Sequence, residues 1–254
     1  GTSLAGQTLG HGVVIDFSKY MRDLVEINSE ERWVRTQPGI ILDELNLKLR
    51  HLGLEFAPDP STSNRGNVGG ALGNNSCGAH SIVWGKTSDN VIALKAVLSN
   101  GDMVDLRSLD GDGLQSKFAQ ENLEGAIYRR LNELVTDVHE EVEARYPKIL
   151  RRVSGYNLDN LGINGFDMAR FVVGSEGTLV AITEAKLKLV PIPKHKALAV
   201  IHFEEMLDSM EATVATLEEK PAAVELIGSM ILRQAKTNLE YARMTDFIDG
   251  DPEA

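Results

Sequence analysis

The chain has 254 residues, 43% apolar and 25% charged, which is the balance of a folded soluble domain and not of a disordered chain or a coiled coil. Its 37 acidic and 26 basic side chains leave a net charge of −11, which argues against a general nucleic-acid binder. No apolar run is long enough to span a bilayer, and the single cysteine, Cys77, leaves no internal disulfide and fits a reducing compartment.

The chain opens on Gly1-Thr2-Ser3, with no signal or transit peptide pattern, and stops in Asp249-Gly250-Asp251 and three further residues. It therefore reads as a piece of a longer protein. Residues 1–12 are glycine-rich and polar, a loop. Val13 to Phe17 reads as a short, mostly buried strand, and Leu24 to Ile27 and Trp33 to Thr36 as two more around a polar turn. After Pro38-Gly39, the residues Leu42, Leu45, Leu49 and Leu52 fall at helical spacing, with Gly53 placed to end the helix. Residues 57–90 hold a second glycine- and asparagine-rich stretch, of which Pro58 to His80 reads as a loop without elements of its own. Asn100-Gly101 predicts a hairpin between Ile92 to Ser99 and Met103 to Leu106. Ile127, Leu131, Leu134, Val138 and Val142 predict a long helix ending before Pro147. Phe171 to Val173 and Leu179 to Val190 read as strands joined by Gly174-Ser175-Glu176-Gly177. Pro191 and Pro193 mark a domain boundary. Beyond it come a strand at Leu198 to Phe203, a helix marked by Leu207, Met210, Val214 and Leu217, and a strand-to-helix pattern from Val224 to about Arg243.

Three glycine-rich turns carry the chemistry. Gly1-Thr2-Ser3-Leu4-Ala5-Gly6-Gln7 offers bare amides and two hydroxyls that can wrap an anion; an ordinary turn is the competing reading. Pro58 to His80 has almost no large apolar side chain and is dense in amides and hydroxyls, so that an extended ligand can approach its backbone; a set of capped turns is the alternative. Gly174-Ser175-Glu176-Gly177-Thr178 is the third, with a plain strand-to-strand turn as its alternative. None is a dinucleotide fingerprint following a strand, and there is no Walker A sequence.

In this order the segments resemble the flavin-binding family of vanillyl-alcohol oxidase and p-cresol methylhydroxylase. Within it they look like the FAD-linked D-2-hydroxyacid dehydrogenases: the D-lactate, glycolate and D-2-hydroxyglutarate enzymes. The resemblance rests on Gly1 to Gln7, Pro58-Asp59-Pro60, Val68-Gly69-Gly70, Asn74-Asn75-Ser76-Cys77-Gly78, Trp84-Gly85-Lys86-Thr87-Ser88-Asp89, and Phe171 to Leu179 with Ile182-Thr183-Glu184-Ala185, which Ser154-Gly155-Tyr156-Asn157-Leu158 precedes. It implies an α+β fold, a mostly antiparallel sheet flanked by helices, as the FAD-binding domain over residues 1–190. The family's first small subdomain would be missing. Residues 191–254 would begin an α/β cap.

The resemblance further implies bound FAD. Thr2, Ser3, Gly6 and Gln7 would meet its diphosphate. Pro58, Asp59, Gly69, Gly70, Asn74, Ser76, Gly78 and His80 would line the flavin and ribityl chain, and Glu176, Gly177 and Ile182 would lie by the adenosine. Thr2-Ser3 stands where some relatives attach the flavin through histidine, so binding is expected to be non-covalent. The implied reaction oxidises a D-2-hydroxy acid to a 2-oxo acid by hydride transfer to the flavin. Alternatives are a non-catalytic flavin-binding subunit and a transferase like alkyl-dihydroxyacetone-phosphate synthase.

No catalytic base is assigned within this chain, and the fragment alone is expected to be inactive. His51 and His139 fall on predicted helices, His195 in a loop and His202 on a strand, and no histidine pair has metal-ligand spacing, so no metal is expected. Arg151-Arg152 could face an acidic substrate, with an exposed pair as the simpler reading. The expected partners are the hydroxy acid and an unidentified electron acceptor such as an iron–sulfur domain or subunit, without nucleic acid or a membrane span. The expected location is the cytoplasm or the periphery of the inner membrane.

Overall fold

The computed structural model describes residues 2, 3, 6, 8–162 and 165–254. They divide into two compact units that meet in the chain between Ile192 and Pro193.

The first unit is built on a sheet of antiparallel strands: β1 (Leu24–Asn28), β2 (Trp33–Thr36), β4 (Val91–Val97), β5 (Met103–Leu109), β6 (Leu161–Gly162), β7 (Gly165–Asp167) and β8 (Ala181–Lys188), in the order β1-β2-β8-β4-β5-β7-β6. β8 runs between β2 and β4, with Val34 opposite Leu187 and Leu94 opposite Ala185. All four side chains are buried. A second, two-stranded sheet pairs β3 (Leu54–Glu55) with β9 (Val190–Pro191).

Local chemistry sets the joints. The β1–β2 turn closes on the Asn28 side chain, which accepts the Glu31 N–H at 2.9 Å. Gly39 is required by contact: a Cβ there would overlap the carbonyls of Phe17 and Met21. Helix α1 (Leu42–Leu49) buries Leu42, Leu45 and Leu49 and ends in a tight turn at Gly53, whose φ of 68° suits a residue without a side chain. The β4–β5 hairpin closes between Leu98 and Asp102, with Gly101 left-handed, a three-residue connection. Asp110 caps α4 (Gly111–Phe118), and Asn122 caps the long α5 (Leu123–Arg145). Helix α5 covers the core with Tyr128 and Val135, and Tyr128 stacks on Phe166 at 5.7 Å.

Three expectations fail in this unit. Val13 to Phe17 forms no strand; Val13 is 92% exposed. An apolar run becomes a strand only when a neighbour completes its ladder. Residues 171–173 are not a strand: Phe171 and Val172 end a short helix, α6 (Met168–Val172), capped by Asp167. Its residues are buried almost all round, and a short all-apolar run has no period to separate strand from helix. Gly174 to Gly177 is accordingly a helix-to-strand turn. Pro58 to His80 is also more ordered than a loop, holding α2 (Val68–Asn74), and α3 (Ser81–Trp84) follows directly after it.

The second unit contains α7 (Met206–Glu218) and α8 (Ser229–Thr237). Leu198 to Phe203 and the stretch after Val224 form no strands, and His202 is exposed. The stripe of α7 lies open, with Leu207 at 71% and Val214 at 68% exposure. The end of this unit is held by Arg233, which pairs with Asp251 and Glu253, and by Ser229, whose N–H donates to the Glu253 carbonyl at 3.0 Å.

Candidate functional site

The glycines of the second turn are first of all packing residues. The Asn67 side chain caps α2 by accepting the Gly70 N–H at 2.7 Å. A Cβ on Gly69 would come within 2.8 Å of the Pro38 side chain, so the helix can lie on the Pro38-Gly39 turn only without one. Asn75 closes α2 in the left-handed conformation, φ 52°, and is wholly buried. Its Oδ1 accepts the Ser88 N–H at 2.9 Å, which fixes the amide orientation and leaves Nδ2 without a partner. Sealed from solvent, that nitrogen is an unsatisfied donor in the interior.

Asp59 and Gly78 touch directly. A Cβ on Gly78 would overlap the Asp59 carbonyl and carboxylate. The Asp59 carboxylate in turn receives the His80 N–H at 3.3 Å and lies 2.5 Å from His80 Nδ1. The Gly78 N–H donates to Ser81 Oγ at 3.0 Å, and the Ser81 hydroxyl donates back to the Gly78 carbonyl at 2.5 Å. The Nδ1 edge of the imidazole is thereby fixed by a carboxylate.

The third turn docks on the end of the second. The Gly174 N–H donates to the Leu72 carbonyl at 2.8 Å, the Glu176 N–H to the Gly73 carbonyl at 3.0 Å, and Asn74 Nδ2 to Glu176 Oε1 at 2.9 Å. Tyr156 Oη lies 2.9 Å from Thr178 Oγ1, and Asn157 donates to the carbonyls of Arg170 and Val173. The segment 154–157, read from sequence only as preceding this turn, is thus part of its wall.

Asp59, Gly69, Gly70, Asn74, Ser76, Gly78, His80, Glu176 and Gly177 therefore belong to contiguous segments. Ser76 Oγ lies 3.4 Å from Asn74 Oδ1, and its carbonyl accepts both the N–H and the hydroxyl of Thr87. Pro58 is buried. Ile182 sits within β8, opposite Ala96. In the first turn Gly6 is left-handed, φ 79°, and its N–H donates to the Ser3 carbonyl at 3.3 Å. Thr2 and Gly6 make no hydrogen bond to the other two turns among the described residues. Gln7 lies outside the described residues.

Sequence reading missed Asn75 and the Arg151 contact described below. Asparagine directly after a glycine-rich helix was a usable signal for the first, because it tolerates the left-handed cap. Nothing local signalled the second.

A flavin dinucleotide requires donors for its diphosphate and its ring carbonyls. Among the described residues, the N–H groups of Cys77, Ala79 and Gly177 meet no acceptor, and all three residues are at least partly exposed. Gly6 and Gly177 have nothing within 4 Å on the side a Cβ would occupy. Of the side chains near the second and third turns, Asn74, Ser76, Tyr156 and Thr178 are neutral, and the one carboxylate beside Gly177, Glu176, is engaged by Asn74 Nδ2. This donor set fits FAD. Among the described residues no cluster of His, Cys, Asp and Glu is placed to hold a metal, and no helix is long and apolar enough to cross a membrane.

Residues 1–107 match the model of an FAD binding domain. Over its whole length the chain is 35% identical to a D-2-hydroxyglutarate dehydrogenase of Pseudomonas putida and 33% identical to one of Escherichia coli, spanning 25% of each of those proteins. The chain thus spans about a quarter of the length of these curated relatives. A glycolate oxidase subunit of Bacillus subtilis is 29% identical over 85% of this chain and 36% of its own. A solved alkyldihydroxyacetonephosphate synthase superposes with a TM-score of 0.49 at 20% identity, covering 80% of this chain and 28% of that one.

Proposed function

We propose, from the match of residues 1–107 to the model of an FAD binding domain, that this chain is the flavin-holding part of an oxidoreductase that converts a D-2-hydroxy acid to a 2-oxo acid. The observation that carries the reading is the docking of Gly174 to Glu176 on Leu72 to Asn74, beside the Asp59–Gly78–His80 contact. Two segments about a hundred residues apart meet there, carrying backbone N–H groups, amide and hydroxyl side chains and the Glu176 carboxylate held by Asn74. Relatives matching the whole chain and named D-2-hydroxyglutarate dehydrogenase support a dicarboxylic hydroxy acid as substrate.

FAD, when bound, supplies the acceptor for the hydride leaving the substrate carbon. This chain's residues bind and orient. Thr2, Ser3, Gly6 and Gln7 hold the diphosphate. Gly69, Gly70, Asn74, Ser76 and Gly78 border the ring and ribityl chain, and Glu176, Gly177 and Ile182 border the adenosine. Pro58 and Asp59 line the ring and ribityl part of the same site. Binding is non-covalent. The His80 imidazole is oriented by Asp59 at the edge of this surface. Residues 1–190 form the FAD-binding domain, and 191–254 open the cap that carries the substrate chemistry. The electron acceptor is a separate partner, with an iron–sulfur domain or subunit as the candidate, and the protein works in the cytoplasm or at the inner-membrane surface.

The test is the visible spectrum of the full-length protein under anaerobic titration with D-2-hydroxyglutarate, D-lactate and glycolate. The reading expects the flavin absorbance to bleach with at least one D-acid and not with its L-enantiomer. A flavin that no member of the panel reduces refutes it.

A further inference from the structure

Residues 147–153 carry no regular secondary structure. Two charged donors tie this segment to the flavin-lining stretch. Arg151 donates to the Gly78 carbonyl at 2.9 Å, and Lys86 Nζ donates to the Leu150 carbonyl at 3.4 Å. The neighbouring cations are neutralised: Lys86 lies 3.3 Å from Asp89, and Arg152 lies 2.6 Å from Asp159 and over the Tyr146 ring. The nearby Asp59 is engaged by His80. Arg151 differs. Among the described residues it has no carboxylate within ion-pairing distance, in a chain with 37 acidic side chains against 26 basic ones.

A guanidinium carries five N–H donors in a rigid fork, and the Gly78 carbonyl engages only part of it. The remainder is exposed, positively charged and held beside the turn that borders the flavin. That arrangement suits bidentate capture of a carboxylate. An arginine on an irregular segment, held through one carbonyl, is poorly placed to fix the reacting end of a substrate, which requires rigid support. It can hold the far end.

We propose that Arg151 is the specificity residue that receives the second carboxylate of a dicarboxylic 2-hydroxy acid at the Gly78 turn. This rests on the functional reading above and names which end of the substrate this chain holds.

The experiment uses the flavin-loaded full-length protein and its Arg151→Gln and Arg151→Lys variants. The probe is glutarate, a dicarboxylate with no hydroxyl to oxidise, titrated against the flavin visible spectrum. Loss of a charge-assisted bidentate contact should weaken glutarate binding at least about tenfold in Arg151→Gln. Arg151→Lys should fall between that variant and the wild type. Flavin content should not change. KM for D-2-hydroxyglutarate should rise in parallel with kcat held, and KM for D-lactate should stay where it is.

Equal glutarate affinity in wild type and Arg151→Gln overturns the assignment. So does an equal loss for D-lactate, which would place Arg151 on the shared carboxylate. Loss of flavin from Arg151→Lys also overturns it, because the residue would then be only a strap. A wild-type flavin that bleaches normally while these results go against Arg151 sinks this inference alone. A flavin that no hydroxy acid reduces sinks the reading beneath it.

Discussion

A single methyl group at Gly78 should separate the two halves of the candidate flavin surface. In Gly78→Ala the new Cβ would lie well inside 3.0 Å of the Asp59 carbonyl and of Asp59 Oδ1. The carbonyl cannot rotate away, and the carboxylate is held by the His80 N–H and Nδ1. Relief therefore requires the backbone of one turn to move. Overpacking of that kind costs about 3 kcal/mol, the upper part of the usual range, or roughly two orders of magnitude in the ratio of folded to unfolded chain. Gly177→Ala is the control: its Cβ meets nothing within 4 Å, but its φ of 73° imposes left-handed strain of about 1 kcal/mol. Urea unfolding followed by tryptophan fluorescence reads the difference, since both tryptophans, Trp33 and Trp84, lie in the first unit. FAD affinity, measured in parallel, should fall further in Gly78→Ala. Equal midpoints for the two variants, or undiminished FAD binding by Gly78→Ala, would refute the argued contact.

Asn75→Ala should cost about 3 kcal/mol, combining the lost buried bond to the Ser88 N–H with left-handed strain; Asn75→Gly should recover about 1 kcal/mol of it, and identical denaturation midpoints would contradict this. Tyr128 is wholly buried with its hydroxyl unpartnered, so Tyr128→Phe should leave stability unchanged or raise it by up to about 1 kcal/mol; a clear loss in urea unfolding would reveal a hydrogen bond there. Burial, reinforced by the Glu124 charge, pushes the Tyr128 hydroxyl above the ordinary phenol value. The folded state then holds a proton that the unfolded state releases near pH 10. Stability from this group is complete below that pH and is lost above it. Midpoints measured from pH 8 upward should decline less steeply in Tyr128→Phe, and parallel curves would count against the assignment.

The elements legible in the sequence were those whose signal is local and repeated. The leucine spacing of α1, the stripe of α5 and Asn100-Gly101 each specify one geometry. The strands expected at Val13 to Phe17 and Leu198 to Phe203 were not settled by their apolar character, because a strand exists only with a partner along its length: among the described residues no strand pairs with Val13 to Phe17, and of Leu198 to Phe203 only Phe203 is paired, through backbone hydrogen bonds to Glu253 and Ala254. Residues 171–173 failed for the opposite reason: they are buried on nearly every side, so a helix and a strand leave the same apolar pattern. At the candidate site, small residues and amides marked the segments, and the flavin expectation agrees with the family match over residues 1–107. How the segments join was hidden. Asn74 with Glu176, Asp59 with His80 and Arg151 with Gly78 are contacts between distant positions, and no local pattern encodes them.

The most direct measurement is an FAD titration of the full-length protein after its flavin has been stripped, followed by flavin fluorescence and visible absorbance. The account predicts saturable uptake of one FAD per chain, released intact on denaturation because no covalent bond holds it, and weakened by Gly78→Ala. A protein that stays colourless at saturating FAD would contradict it, as would a flavin that remains attached to the unfolded chain.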